Sequence, residues 1–95
     1  MLDVGTIADG VRDVVVDYPV ERVELFGSYA KDQATENSDV DLLIEFTSVA
    51  ISLLTLSALR RKLEGRLGVS VDLVHAPLPE GSFLDTSTRV LVYER

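Results

Sequence analysis

The chain has 95 residues and a formal charge of -7, and it contains no cysteine. A chain of this length supports one small core, so we expect a single domain over residues 1–95. The acidic balance argues against a nucleic-acid groove, because phosphate backbones are held by clustered lysine and arginine. Disulfides and zinc-thiolate sites are excluded, and no apolar run approaches the roughly 20 residues of a membrane span. We therefore expect a cytoplasmic protein without direct membrane or nucleic-acid contact.

The first two predicted elements are a helix and a strand. Residues Asp3 to Asp17 place apolar side chains at helical spacing, which predicts an amphipathic helix. Its glycines, Gly5 and Gly10, lower its intrinsic helix propensity, so we expect the helix to depend on tertiary packing. After Pro19, "ERVELFGS" alternates apolar and polar residues and predicts a strand that ends at Gly27.

The next segment places two carboxylates in an apolar strand. "SYAKDQAT" predicts a short helix that begins at Ser28, and "TENS" predicts a polar turn. In "DVDLLIEF", strand alternation puts Asp39 and Asp41 on the face opposite Val40, Leu42 and Ile44. The aspartates therefore need not enter the core.

The remaining chain predicts a long helix and two more strands. The helix spans Val49 to Leu67 with a wide apolar arc, which serves the core and could also meet another subunit. Its first predicted stripe is Leu53, Leu56, Leu59 or Arg60, Leu63 and Leu67, and its second is Ile51, Leu54 and Ala58. "VSVDLVHA" predicts a strand that orients Asp72 like the earlier aspartates. "SFLD" predicts a final helical turn, and "RVLVYE" predicts the last strand.

These elements predict the α+β class: a mixed sheet of about four strands, with helices on one face and a polar site on the other. Three carboxylates on one sheet face, preceded by a glycine-serine turn, suit a nucleotide site with divalent metal ions. Two aspartates at i and i+2 can bridge two such ions, and glycine lets the backbone approach phosphates. An Asp-x-Asp pair by itself is more often a solvated edge or loop, so the prediction depends on the joint pattern.

The stretch "GSYAKDQATENSDVDLLIEF" resembles the signature of the minimal nucleotidyltransferases of the DNA polymerase beta superfamily. That signature is Gly-Ser, ten residues and Asp-x-Asp, and "VDLV" around Asp72 matches its later third carboxylate. Family members of this length are commonly antitoxins paired with a HEPN-domain ribonuclease toxin. The resemblance implies a protein adenylyltransferase that transfers AMP from ATP to a toxin tyrosine and thereby neutralises the toxin in a hetero-oligomer.

The resemblance also implies roles for individual residues. Gly27 and Ser28 would hold the β and γ phosphates of ATP, and Lys31 could reach a phosphate. Asp39 and Asp41 would ligate magnesium, with two ions expected. Asp72 would ligate the catalytic ion and assist deprotonation of the incoming hydroxyl, because a tyrosine hydroxyl with a pKa near 10 needs activation.

Two other functions stay open from the sequence. A non-catalytic antitoxin could neutralise its partner by binding through the leucine arc, although three clustered carboxylates would then serve no purpose. A small-molecule adenylyltransferase would need an acceptor domain, for which the chain after Asp72 has no space unless another subunit supplies it.

Overall fold

The computed structural model describes residues 2–48, 51–76 and 88–95. Within these ranges the protein has three helices and four strands, which confirms the predicted α+β class with a four-stranded mixed sheet. In chain order the elements are α1 (Val4–Val15), β1 (Val20–Phe26), α2 (Gly27–Ala30), β2 (Val40–Phe46), α3 (Leu53–Leu67), β3 (Val71–His75) and β4 (Val90–Glu94). None of the described helices is long and apolar enough to cross a membrane.

The sheet has the strand order β3-β2-β1-β4. β1 pairs antiparallel with both β2 and β4, whereas β2 and β3 run parallel because α3 carries the chain back between them. The register places Phe26 opposite Asp41 and Asp41 opposite Asp72. One row of residues across three strands therefore brings the end of β1 and two aspartates to the same edge of the sheet.

The core lies between one face of the sheet and helices α1 and α3. Ile7, Val11 and Val15 of α1 are buried there together with three leucines of α3 and the alternate residues of the strands. Gly10 of α1 is also buried, and a Cβ at this position would overlap the Leu67 side chain. The low propensity of glycine in a helix is thus offset by the close approach of α1 to α3.

The structure corrects the predicted bounds of several elements. α1 ends at Val15 rather than Asp17, because the chain turns before Pro19. α2 begins at Gly27 rather than Ser28, with Gly27 itself in the left-handed region. The final helical turn predicted at residues 82–85 lies outside the described residues.

The predicted α3 changes most. The helix begins at Leu53 because Ser52 caps it: the Thr55 N–H donates to Ser52 Oγ over 3.1 Å. Val49 and Ala50 lie outside the described residues, and Ile51 precedes the helix.

The wide apolar arc predicted on α3 does not pack on the core as a whole. Leu59, Leu63 and Leu67 are buried in the core, whereas Leu53 is 81% exposed and Leu54 is 83% exposed. Leu56 is partly buried against the core, so Leu53 and Leu54 are the leucines of the first turn that are left largely exposed.

Candidate active site

Asp41 and Asp72 form the centre of the candidate site. They are direct neighbours in the parallel pairing of β2 with β3, so their side chains leave the sheet on the same face. The two carboxyl groups are close enough to share a hydrogen bond when one of them is protonated. The predicted approach of Asp72 to the Asp-x-Asp pair is thus present for Asp41.

Gly27 closes this centre from the end of β1. Its φ of 72° lies in the left-handed region, which side chains with a Cβ rarely adopt. A Cβ at Gly27 would also overlap the Asp41 carboxylate. Two independent constraints therefore require glycine here, and the second places the Gly27 backbone directly against Asp41.

A cavity of about 700 Å³ opens over these residues, a volume within the range of ligand sites. Five residues predicted for the nucleotide and metal site line it: Gly27, Ser28, Lys31, Asp41 and Asp72. The other described lining residues are Phe26, Gln33, Leu53, Leu56, Ser57, Arg60, Leu73 and Val74.

The lining corrects the predicted position of the site. We expected it on the sheet face opposite the helices, but the first half of α3 supplies part of the wall. The sequence prediction assigned Leu53 to the core and gave Arg60 no role in the site, whereas Leu56 both packs against the core and lines the cavity. The recurrence of residues 53, 56, 57 and 60 at helical steps is the signal that could have indicated a second face.

Asp39 lies apart from this cavity. It precedes β2, is exposed, and lines a separate shallow groove with residues such as Glu36 and Glu64. Within residues 2–48, 51–76 and 88–95, no group of three or more acidic, histidine or cysteine side chains forms a metal site. The role of Asp39 as a metal ligand therefore stays a prediction.

The electrostatics of Asp41 indicate what the centre can bind. Partial burial, followed by the charge and hydrogen bond of Asp72 and then the charge of Asp39, raises the pKa of Asp41 to about 6. The neighbouring carboxylates therefore repel each other at neutral pH. A divalent cation would offset this repulsion, and two carboxylates provide the hard oxygen ligands that magnesium prefers. Asp41 and Asp72 thus fit such an ion.

We expect Asp41→Asn to increase the free energy of unfolding at pH 7.5 by about 1 kcal/mol, after allowance for solvent screening. A carboxyl group with a raised pKa stabilises the folded state when protonated, and this contribution is lost as the pH rises from 3.8 to about 6. The gain should therefore vanish below pH 4. Urea unfolding at both pH values measures it.

Asp17→Asn is the matched control, because it removes one charge from an exposed turn. It should show a smaller gain than Asp41→Asn. Millimolar magnesium should stabilise the unsubstituted protein and narrow the difference from Asp41→Asn, because binding to the folded state alone favours that state. Equal gains for both variants would contradict the electrostatic account of Asp41.

The chain is similar to known proteins in family, in sequence and in fold. A protein-family profile described as the nucleotidyltransferase domain matches residues 8–94. Protein adenylyltransferase MntA of Thermococcus cleftensis is 38% identical over 76 residues, which cover 80% of this chain and 76% of that protein.

Two solved structures are also similar. A protein assigned as a minimal nucleotidyltransferase has 36% identity and a TM-score of 0.69, with 83% of this chain and 84% of that chain covered. A complex of the tri-AMPylated HEPN toxin of Shewanella oneidensis with an MNT antitoxin contains a chain with 17% identity and a TM-score of 0.71. The match covers 97% of this chain and 73% of that chain. At this low identity, the second similarity shows the fold alone.

Proposed function

Because the chain is a minimal nucleotidyltransferase of the nucleotidyltransferase domain family, we propose that it transfers AMP from ATP to a hydroxyl of a partner protein. The observation that carries this proposal is the pairing of Asp41 with Asp72 beneath the Gly27 turn. Nucleotidyl transfer requires carboxylates that would hold divalent cations beside the phosphates, and a backbone that approaches phosphate closely. Both features line the same cavity.

Each step of this reaction would use residues of the cavity. The turn at Gly27 and Ser28, with the Lys31 ammonium, would hold the phosphate chain of ATP. Asp41 and Asp72 would hold magnesium, which when bound neutralises phosphate charge and favours the ionised hydroxyl of the acceptor. Asp39 is proposed as an additional ligand on the basis of the sequence motif alone.

Asp72 would take part in the proton transfer. It is exposed on the cavity side of edge strand β3, where an acceptor protein can reach it. As the acceptor oxygen bonds to the α phosphorus, its proton would pass to the Asp72 carboxylate or to water. The bond from the α phosphorus to the bridging oxygen breaks, and pyrophosphate leaves. Most of the rate enhancement would come from positioning and charge stabilisation.

The acceptor we propose is a tyrosine of a HEPN-domain toxin, with the chain acting as its antitoxin. The fold similarity to a chain of an MNT–HEPN complex supports this partner, and the relative in Thermococcus cleftensis supports protein as the acceptor class. The cavity is open at the exposed first turn of α3, so a folded partner could reach the reacting phosphate.

The proposal is tested by incubating the protein with magnesium, ATP labelled at the α phosphate and a purified HEPN toxin whose gene lies beside the gene of this protein. We expect label on the toxin, and intact-mass analysis should show one or more AMP groups on tyrosine. Chelation of the metal should stop the transfer. Label that stays on ATP, together with stoichiometric neutralisation of the toxin without nucleotide, would instead show a binding antitoxin. Transfer of AMP to small molecules alone would show that the protein is a small-molecule adenylyltransferase.

A further inference from the structure

Helix α3 carries a row of side chains along the cavity, beside the leucines that are buried in the core. Leu53, Leu56, Ser57 and Arg60 follow one another at steps of three, one and three residues and line the cavity, and we call them the cavity stripe. Such steps place side chains on one side of a helix. The stripe is apolar in the first turn and cationic at Arg60, so its two ends suit different parts of a ligand.

Arg60 is held beside the strand that carries Asp72. Its Nε lies 3.6 Å from Glu64 Oε2, one turn along the helix. The same Glu64 oxygen accepts a hydrogen bond of 3.0 Å from the N–H of Val71, the residue before Asp72. Glu64 thus links the Arg60 side chain to the start of β3. The Arg60 side chain is 57% exposed and lines the cavity.

The charge balance of the cavity makes its cations important for binding an anionic ligand. The chain carries a net charge of -7, so a polyanionic ligand is repelled unless cations meet it locally. Among the described lining residues, the cations are Lys31 at the end of α2 and Arg60 on α3. They face the same space as the paired aspartates from two different elements. Arginine is suited to this position because its planar guanidinium binds phosphate oxygens in pairs.

We propose that Arg60 binds the phosphate chain of the nucleotide. The proposal rests on the proposed function, because the triphosphate is the substrate of that reaction. It adds a phosphate ligand outside the glycine-serine turn and gives a role to one member of the basic cluster at residues 60–62. Arg61 is the matched comparison, because it is exposed on the same helix but is not among the described residues that line the cavity.

The test measures binding of a non-hydrolysable ATP analogue by titration calorimetry in magnesium, without an acceptor protein. Arg60→Ala should weaken the affinity at least about tenfold, as expected for the loss of charge-assisted hydrogen bonds. Arg60→Lys should recover part of this loss because it keeps the charge. Arg61→Ala should stay within about twofold of the unsubstituted protein. Adenosine, which has no phosphate, should bind all four proteins equally.

The outcomes separate this proposal from the proposed function. If the unsubstituted protein binds the analogue and Arg60→Ala loses no more affinity than Arg61→Ala, the proposed phosphate role of Arg60 is wrong. The proposal that the protein transfers AMP would then still stand. An equal loss for adenosine would also overturn the phosphate role. If the unsubstituted protein does not bind the analogue at all, the proposed function itself fails. Equal urea midpoints for both alanine variants would confirm that the affinities compare folded proteins.

Discussion

Asp41→Asn is expected to lower kcat/KM for AMP transfer by at least about a thousandfold, corresponding to several kcal/mol of lost transition-state stabilisation. Asp41 is the more enclosed member of the pair with Asp72, and it touches the glycine turn proposed to hold phosphate. Asparagine keeps the size of the side chain but removes the negative charge proposed to attract magnesium. The variant should therefore fold normally and lose the reaction.

Initial rates of label transfer to the toxin measure this effect, with Glu45→Gln as the matched control. Glu45 belongs to the same strand but lies at its far end and is exposed, so its variant should stay within about twofold of the unsubstituted protein. Asp72→Asn should resemble Asp41→Asn. A rate within tenfold of normal for Asp41→Asn would refute the metal role of this carboxylate.

The loss of activity expected for Asp41→Asn accompanies the increase in the free energy of unfolding that is expected for the same variant at pH 7.5. The repulsion that raises the pKa of Asp41 opposes folding, while the same closeness of Asp41 and Asp72 prepares the site for a cation. One substitution should thus make the protein more stable and less active. That combination distinguishes a functional carboxylate from one whose contacts support the fold.

Gly27→Ala is expected to have the second largest effect, lowering AMP transfer at least about a hundredfold. Alanine is strained at the φ of 72°, by about 1–2 kcal/mol. Its Cβ would also overlap the Asp41 carboxylate, so the carboxylate or the turn must move. Both elements belong to the proposed phosphate and metal site, and a displacement of about 1 Å there costs roughly two orders of magnitude in rate.

Gly68→Ala provides a closely matched control for this substitution. Gly68 ends α3 with a φ of 76°, and a Cβ there would meet no atom within 4 Å. Gly68→Ala should thus carry the same backbone strain, seen as a lower urea midpoint, while transfer stays within about twofold. If the two variants lose the same stability and the same activity, the contact of Gly27 with Asp41 has no special role.

Several features of the fold follow from local patterns in the sequence. The alternation in "DVDLLIEF" places Val40, Leu42 and Ile44 in the core and Asp41 on the opposite face, as the structure has them. Local chemistry also fixes both ends of α3, through the Ser52 cap and the left-handed Gly68. These features depend on neighbours within a few residues, so the sequence contains the information that decides them.

The contacts of α3 could not be predicted in the same way. Leucines at 53, 56, 59, 63 and 67 fit one wide helical arc, and periodicity does not say which part faces the core. In the structure, Leu59 and Leu63 face the sheet and α1, while Leu53 and Leu56 line the cavity with Arg60. Which leucines of α3 face the core depends on where β3 and α1 pack against this helix.

By itself, the sequence determined the element order, the α+β class and the glycine-serine and aspartate motif of the family. Tertiary structure decided which motif members meet: β-strand register sets Asp41 against Asp72 and the end of β1 against Asp41, whereas Asp39 lies outside their cavity. The physical reason is the separation along the sequence over which each interaction acts. Capping and alternation act over a few residues, whereas strand register joins Phe26 to Asp41 and Asp41 to Asp72, which are 15 and 31 positions apart. Such contacts form only when the core is assembled.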